Sequence, residues 1–292
     1  MFAQFFGGYL FNHKLCTAED LTQAFEAKKH TRLRLGVLAI NAGLMTAEQV
    51  EHVNITQQSV DKRFGDLAVE LGYVTADDVE KLLAQQPTDY LLLGQTLVNN
   101  GALTNAEFEK ALKDYKAENQ ITDDISDNQT ETLHNLINEF YHFDNDENAR
   151  ICTDYVTLLF KNLIRFIGDD FTPMEASVIK NFAAEHIVIQ KINGKYNVEA
   201  CIATDSKTYM AFAERFAKES FTEVDDFVNA TAGEFLNVND GLFVVNESNE
   251  HGVELTLTPQ EFLENGELAL SGTAFCIPVN YPFGKLNFII AT

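Results

Sequence analysis

Residues 34–86 contain one pattern of 24 residues twice, and this duplication constrains the fold more than any other feature of the chain. The copies read RLGVLAINAGLMTAEQVEHVNITQ and RFGDLAVELGYVTADDVEKLLAQQ, and the second starts 29 positions after the first. Weaker matches at the same period begin at Phe5 and at Leu92. A repeat at a fixed period predicts equivalent structural units that stack on one another. We therefore expect four repeats over residues 5–115, with the outer two capping the stack.

Each repeat has the pattern of a pair of short helices. A glycine at Gly43, Gly72 or Gly101 follows the first helix, where a residue with positive φ commonly ends a helix. A threonine then precedes the second helix and is followed three residues later by an acid or an amide, which is the spacing of a capping box. Residues 1–116 are therefore predicted to form an all-α domain.

The duplicated pattern resembles the N-terminal domain shared by type II secretion and type IV pilus assembly ATPases. In the subset called MshEN, two motifs of 24 residues separated by five residues bind cyclic di-GMP, and residues 58–62 form a spacer of five residues here. Arginine can stack on guanine or bond to phosphate. The cyclic di-GMP site that the resemblance implies consists of Arg34, Leu35, Gly36, Gln57, Arg63, Phe64, Gly65 and Gln86.

Some positions depart from the MshEN pattern, and a second reading of the repeats stays open. Asn54 stands where the pattern has leucine, and Phe64 replaces another leucine. The recurring arginines and glutamines are also consistent with surface residues of a module that only docks proteins.

The charge of the chain is strongly acidic and uneven. The net charge is −23 over 292 residues, and residues 116–292 carry −18 of it. This excess argues against binding to a nucleic-acid backbone. The sequence has no apolar run long enough to span a bilayer, and its N-terminus reads as structure and not as a signal peptide. Four widely spaced cysteines match no metal site, so we expect a cytoplasmic protein with reduced thiols and no metal on this chain.

Residues 117–147 differ in character from the segments on either side. Their first part is polar and acidic and is predicted to be a linker. Residues 130–143 have apolar residues at helical spacing, which predicts a helix that connects the domains or joins two copies of the chain in a homodimer. The acidic residues at 144–147 lack the pattern of a calcium loop and are predicted to be solvated.

Residues 148–292 alternate between patterns of helix and strand, which predicts an α+β domain. A helix is expected over 151–167, followed by a hairpin with a two-residue turn at Asn193 and Gly194. Further helices are expected at 206–219 and 222–237. The remainder reads as strands, including GLFVVN at 241–246.

Glu234 and Asn237 form a Glu-x-x-Asn pair, and Pro259 follows 22 residues after Asn237. Residues three apart share one face of a helix. The pair and the proline resemble the signature of the CheX/CheC chemotaxis phosphatases. The resemblance implies that Asn237 orients a water for attack on the phospho-aspartate of a CheY-like response regulator, which supplies Mg²⁺. Glu234 would pair with a lysine of that partner.

A second pair on the same predicted helix, Asp226 and Asn229, has the same spacing and is the less favoured assignment. The leading prediction is a signalling protein with a module that senses cyclic di-GMP and a CheX-like module that dephosphorylates or binds a phosphorylated response regulator. The alternative is a non-catalytic adaptor that docks proteins of a chemotaxis, pilus or secretion machine.

Overall fold

The computed structural model describes residues 3–84, 88–118, 129–143 and 147–292. Its contacts divide the chain into two compact units, Met1–Asp127 and Asn128–Thr292. Gln86 and the acidic residues at 144–146 lie outside the described residues. Within the described part of the chain, no helix is long and apolar enough to cross a membrane.

The described residues of the first unit form eight helices in four consecutive pairs. They are α1 (Ala3–Asn12), α2 (Ala18–Lys28), α3 (Leu35–Asn41), α4 (Ala47–Gln57), α5 (Phe64–Glu70), α6 (Ala76–Ala84), α7 (Asp89–Asn99) and α8 (Asn105–Glu118). Each pair corresponds to one sequence repeat.

The turn and cap predicted for each repeat are present. The φ angles of Gly43, Gly72 and Gly101 are 66°, 75° and 78°, in the region that glycine adopts readily. The backbone N–H of Asp20 donates to the Thr17 hydroxyl at 3.1 Å, and the Thr17 N–H donates to the Asp20 carboxylate at 2.8 Å. The same reciprocal bonds occur in the other three repeats. The capping-box prediction is therefore confirmed.

A second set of glycines explains how the two helices of a repeat pack. A Cβ atom on Gly36 would lie 2.7 Å from Val50, and one on Gly65 would lie 3.0 Å from Val79. Each neighbour is 14 residues later in the chain, on the second helix of the same repeat. The repeats that begin at Phe5 and Leu92 place Leu21 against Gly7 and Phe108 against Gly94 in the same way. The absence of a side chain thus lets the second helix approach the first.

The repeats do not stack in chain order, so the expectation that the outer repeats cap the two ends is wrong. The first repeat packs mainly on the fourth, through contacts of α1 and α2 with α7. The second repeat contacts both the third and the fourth, so the order in space is first, fourth, second, third. Aromatic side chains form much of the contact between the first and fourth repeats. The ring of Phe6 in the first repeat packs against those of Tyr90, Phe108 and Tyr115 in the fourth.

The second unit combines helices with an antiparallel sheet, so the α+β prediction is confirmed. Its elements are α9 (Gln129–Tyr141), α10 (Glu147–Asn162) with a π-helical turn at Leu163–Ile167, β1 (Thr172–Pro173), β2 (Ser177–Gly194), β3 (Val198–Thr204), α11 (Ser206–Ala217), α12 (Asp226–His251), β4 (Leu255–Leu257), β5 (Glu261–Tyr281) and β6 (Gly284–Ala291).

The six strands are arranged in the order β1-β5-β6-β3-β2-β4, and β2 pairs with β5 as well. The central strand β2 is buried on both faces over residues 186–190. Ile187 and Ile189 pack with Cys201 and Ile289 in one buried cluster. Side chains of a strand alternate between faces, so Val188, Gln190 and Ile192 face the other side. On that side α12 packs against β2.

The predicted hairpin exists, but its two-residue turn does not. Ile192 pairs with Val198, which leaves residues 193–197 in the connection. Asn193 and Gly194 continue β2 and pair with β4. A Cβ on Gly194 would lie 2.4 Å from the carbonyl oxygen of Glu254, so this glycine serves a close approach of backbones and not a turn.

The segment GLFVVN at 241–246 is helical, so the predicted strand is wrong. Helix α12 runs for 26 residues and ends at Gly252, whose φ is 63°. Asp240, Phe243 and Glu247 are buried, whereas Leu242 and Val245 are exposed. This spacing continues the helical period of the preceding residues, and the glycine at 241 does not end the helix.

The amphipathic helix predicted at 130–143 is present as α9, and it belongs to the second unit. The side chains of Leu133, Leu136 and Ile137 are buried, and α9 packs against α10. Its apolar face is therefore covered by the same chain, which removes the reason to predict a homodimer from this helix.

Candidate functional site

Helix α12 carries both predicted catalytic pairs, and Asp226 and Glu234 are their exposed members. It begins at the cap Asp225, whose carboxylate accepts the backbone N–H groups of Phe227 and Val228. The buried face packs on the sheet and on α10 and α11. The rest of the helix is available to a partner over about 27 Å between Phe227 and Val245, at 1.5 Å per residue.

Glu234 and Asn237 lie together near the middle of α12. Glu234 is exposed and Asn237 is half-buried. The Nδ2 group of Asn237 donates to Oε2 of Glu234 at 3.4 Å, so the two side chains project in one direction. The predicted end of the helix at residue 237 is wrong, because α12 continues for 14 residues beyond Asn237.

The amide of Asn237 also accepts a hydrogen bond from a buried residue of the sheet. Gln190 of β2 is 1% exposed, and its Nε2 donates both to Oδ1 of Asn237 at 3.1 Å and to the Thr258 carbonyl at 2.8 Å. Thr258 directly precedes Pro259. The buried amide of Gln190 therefore links Asn237 on α12 to the residue before Pro259.

Exposed apolar side chains lie next to Glu234 and along the same line of α12. Phe227, Glu234 and Val245 are 7 and 11 residues apart and lie within about 20° of one line along the helix. Phe227 is 56% exposed and Val245 is 52% exposed. On β5, Phe262 is 41% exposed and reaches α12 next to Glu234, because a Cβ on Gly233 would lie 2.9 Å from its ring. We call Phe227, Val245 and Phe262 the apolar rim.

Asp226 and Asn229 occupy a different part of the helix. Asp226 is exposed in the first turn, where a carboxylate stabilises the helix N-terminus. Oδ1 of Asn229 accepts a hydrogen bond from the Tyr209 hydroxyl of α11 at 3.1 Å. Asn229 is thus turned toward α11, away from the line of Glu234.

The buried side of α12 contains a carboxyl group. Asp240 is fully buried, and its Oδ1 accepts a hydrogen bond from the Tyr155 hydroxyl at 2.5 Å. Burial raises the pKa of Asp240 to about 7, and the hydrogen bond from Tyr155 opposes this rise. No described side chain pairs with its Oδ2.

Further along α12, Glu247 anchors an ion-pair network. Its carboxylate accepts two bonds from the Arg150 guanidinium, at 3.0 and 3.1 Å, and another from the Tyr196 hydroxyl. Arg150 also donates to Asp154 at 2.7 Å. Asp154, Glu247 and His251 bring potential ligand atoms within 4.8 Å of one another. The Arg150 guanidinium offsets one of the two carboxylate charges of this cluster, and its own positive charge opposes a metal ion there.

The first unit has a cavity of about 310 Å³ where the second, third and fourth repeats meet. Five of the eight predicted ligand residues line it, namely Arg34, Leu35, Gly36, Gln57 and Phe64. Arg63 and Gly65 are not among its lining residues. Gly65 instead packs against Val79 and Leu35.

Sequence reasoning missed three residues that bear on these sites. Gln95 and Asn105 of the fourth repeat line the cavity, and the Arg34 N–H donates to Oε1 of Gln95 at 3.4 Å. The period gives no sign of this, because it does not encode which repeats are neighbours. Gln190 could have been noticed as a polar residue that directly follows the apolar run IVI in the predicted hairpin.

Comparisons with known proteins give weak structural similarities and nothing at the level of sequence. No family model matches the chain, and no curated protein matches it. The chain is similar to a CheC-like superfamily protein from Shewanella sp. PV-4, with 15% identity and a TM-score of 0.43 over 48% of this chain and 95% of the other.

Two further solved structures are similar to about half of the chain. Chemotaxis protein CheX from Desulfovibrio desulfuricans has 14% identity and a TM-score of 0.43 over 49% of this chain and 98% of that protein. The CheX-CheY-BeF3-Mg²⁺ complex from Borrelia burgdorferi has 19% identity and a TM-score of 0.41, with coverages of 48% and 96%. Similarities at this level assign neither an activity nor a partner to this chain.

Proposed function

We propose that the second unit binds a phosphorylated response regulator and hydrolyses its phospho-aspartate at Glu234 and Asn237. The observation that carries this proposal is the position of the Asn237 amide. Its Oδ1 accepts a hydrogen bond from the buried Gln190, and its Nδ2 lies beside the exposed carboxylate of Glu234. The sequence resemblance of this pair and Pro259 to the CheX/CheC signature gives the reaction class. This function places the protein in the cytoplasm.

The chemistry requires positioning more than a nucleophile on this chain. Asn237 holds a water in line with the phosphorus atom, and the water oxygen forms a bond to phosphorus. The bond between phosphorus and the aspartyl oxygen breaks, which releases the regulator's carboxylate and inorganic phosphate, and the phosphate retains the protons of the water. The resemblance assigns Mg²⁺ to the regulator, where it offsets phosphate charge. Glu234 orients the regulator by pairing with a lysine.

The apolar rim and the charge of the chain fit a protein partner. Phe227, Val245 and Phe262 can be covered when a receiver domain docks, and their burial excludes bulk water from the pair. The net charge of −18 on residues 116–292 favours a partner with a basic face.

Replacing Asn237 with alanine is expected to lower the rate of dephosphorylation about a hundredfold, because removal of one pre-positioned polar group from a reaction site has an effect of this size. The assay measures the lifetime of phospho-aspartate on purified receivers in the presence of Mg²⁺. Asn246→Ala, an exposed asparagine on the same helix, is the matched control and is expected to behave as the wild type.

The same assay separates the competing assignments. Loss of activity in Asn229→Ala and not in Asn237→Ala would transfer the role to the Asp226–Asn229 pair. A wild type that binds the phosphorylated receiver without shortening its lifetime would support the non-catalytic adaptor and overturn the phosphatase proposal.

We further propose that the first unit binds cyclic di-GMP between the second and third repeats. The supporting observation is a reciprocal contact. A Cβ on Gly36 would lie 3.2 Å from Phe64, and a Cβ on Gly65 would lie 3.1 Å from Leu35. The same two motif positions thus contact each other in both directions, an arrangement that suits a ligand made of two identical halves. Leu83, at the position equivalent to Asn54, is 69% exposed and available to a guanine.

Replacing both Arg34 and Arg63 with alanine is expected to weaken cyclic di-GMP binding about a hundredfold or more, because each charge-assisted hydrogen bond contributes about 1.5–3 kcal/mol. Isothermal titration calorimetry of the full chain measures this, with Arg32→Ala as a control for an exposed arginine outside the motifs. GMP at the same concentration tests whether both halves of the ligand are needed. A wild type without saturable heat would refute the sensing proposal.

A further inference from the structure

We propose that Gln190 is a positioning residue that sets which end of the Asn237 amide faces the receiver domain. The proposal rests on the phosphatase function proposed above. Gln190 lies on β2, 47 residues before Asn237 in the chain, and belongs to neither the Glu-x-x-Asn pair nor the proline of the motif. Its influence would be exerted through Asn237, since it is 1% exposed and cannot itself contact the partner.

The hydrogen bonds of Gln190 fix its own orientation. The carbonyl oxygen of Thr258 can only accept a hydrogen bond, so the group that faces it at 2.8 Å must be Nε2 of Gln190. An amide nitrogen has two hydrogens, and the second is directed at Asn237 at 3.1 Å. Asn237 must therefore turn Oδ1 inward and Nδ2 outward, toward Glu234.

Thr258 is itself held by the edge of the sheet. Its N–H donates to the Lys191 carbonyl at 2.9 Å, and the Lys191 N–H donates to its hydroxyl at 3.1 Å. Pro259 restricts the residue before it to an extended conformation. The proline of the motif thus has a physical role, which is to hold the carbonyl that orients Gln190.

A fixed amide matters because asparagine otherwise has two nearly equivalent orientations about its last torsion. The reversed orientation would place Oδ1 beside the Glu234 carboxylate, where two acceptors repel each other. With Nδ2 outward, the amide can donate to the water oxygen and leave a lone pair of that oxygen for attack on phosphorus. No reorganisation is then needed when the receiver binds.

Stability alone does not account for a glutamine at this position. No described group pairs with Oε1 of Gln190, although this oxygen is buried. A buried polar atom without a partner typically destabilises a protein by about 1–3 kcal/mol. A methionine would fill the same space and remove that penalty, but it would leave the Thr258 carbonyl and Oδ1 of Asn237 without this donor. The two hydrogen bonds of Nε2 are therefore the reason we infer for the glutamine.

The test is Gln190→Met in the full chain, because methionine keeps the length of the side chain and removes both donors. We expect kcat for the phosphorylated receiver to fall about tenfold to a hundredfold, as misorientation of a reacting group does. We expect little change in KM, because Glu234 and the apolar rim remain. Thr157→Val removes another buried hydrogen bond of the same unit and is the control for a general loss of stability.

A second readout is independent of activity. In ¹⁵N-labelled protein, the side-chain Nδ2 signal of Asn237, assigned by its absence in Asn237→Ala, is expected to shift in Gln190→Met and to exchange its hydrogens faster. An unchanged signal and exchange rate would overturn the positioning role. If the signal shifts but the wild type dephosphorylates no receiver, the phosphatase proposal fails and the positioning of Asn237 by Gln190 stands.

Discussion

Replacing Glu247 with alanine is expected to lower the free energy of unfolding of the second unit by about 3 kcal/mol. Glu247 is almost fully buried, and its carboxylate accepts a hydrogen bond from each of the two terminal nitrogens of Arg150. Removal of one partner of such a pair leaves the other charge uncompensated and typically destabilises a protein by about 3–5 kcal/mol. The lower end applies, because the side chain of Arg150 keeps 33% of its surface exposed and retains Asp154.

Hydrogen exchange in the intact chain measures this effect, because a protein with two units need not unfold in one transition. Protection of α12 amides is expected to fall, whereas protection of α7 in the first unit serves as the internal reference. Glu250→Ala changes an exposed glutamate of the same helix and is expected to alter the stability by less than about 0.5 kcal/mol. Equal protection of α12 in wild type and Glu247→Ala would show that the pair contributes no net stability.

A double-mutant cycle measures the interaction energy between Arg150 and Glu247 separately from the effect of each single change. Replacing Arg150 and Glu247 together by methionine is expected to destabilise the unit less than the sum of the single changes, because no buried charge is left without a partner.

Replacing Asp240 with asparagine is expected to change how the stability of the second unit depends on pH. The folded-state pKa of Asp240 is raised by burial from 3.8 to about 7. Between about pH 4 and pH 7 the folded state therefore holds a proton that the unfolded state has lost. Stability contributed by this group is present at low pH and is lost as the pH rises through this window. The loss amounts to about 4 kcal/mol, at 1.36 kcal/mol for each unit of pKa.

The side chain introduced by Asp240→Asn does not titrate, so the stability of the variant relative to the wild type is expected to increase from pH 4 to pH 8 by up to that amount. The ionisable neighbours, Tyr155 of α10 and Cys201 of β3, have raised pKa values and stay neutral over this range. Hydrogen exchange of α12, corrected for the intrinsic pH dependence, measures the difference. Glu250→Gln is the control. A difference that stays flat with pH would mean that Asp240 titrates at its ordinary value in the folded protein.

The elements that could be predicted from the sequence depend on local interactions. The caps at Thr17 and Thr46 and the glycine turns were predictable, because each depends on groups within a few residues. The strand predicted at 241–246 was wrong because Gly241 and the run LFVV suggested a break and a strand. The buried positions Phe243 and Glu247 keep the helical period, which decides the outcome once α12 packs against α10 and the sheet.

The candidate phosphatase site also contains residues that local spacing predicts and residues that only tertiary contacts bring together. Glu234 and Asn237 could be found from their spacing, since three residues correspond to nearly one helical turn. Gln190 and Thr258 could not be assigned to this site from sequence, because they are 47 and 21 residues away from Asn237. Only the pairing of β2 with β4, and the packing of α12 on β2, bring them to the same amide.

The sequence by itself determined the four helix pairs, their caps, the α+β character of the second unit and the pair of residues proposed for catalysis. These depend on periods, caps and spacings along one stretch of backbone. The tertiary structure alone decided that the fourth repeat lies between the first and the second, that the cavity near Arg34 includes Gln95, and that Gln190 holds Asn237. The physical reason is that side-chain packing and hydrogen bonds between distant segments choose these neighbours, and neither leaves a periodic trace in the sequence.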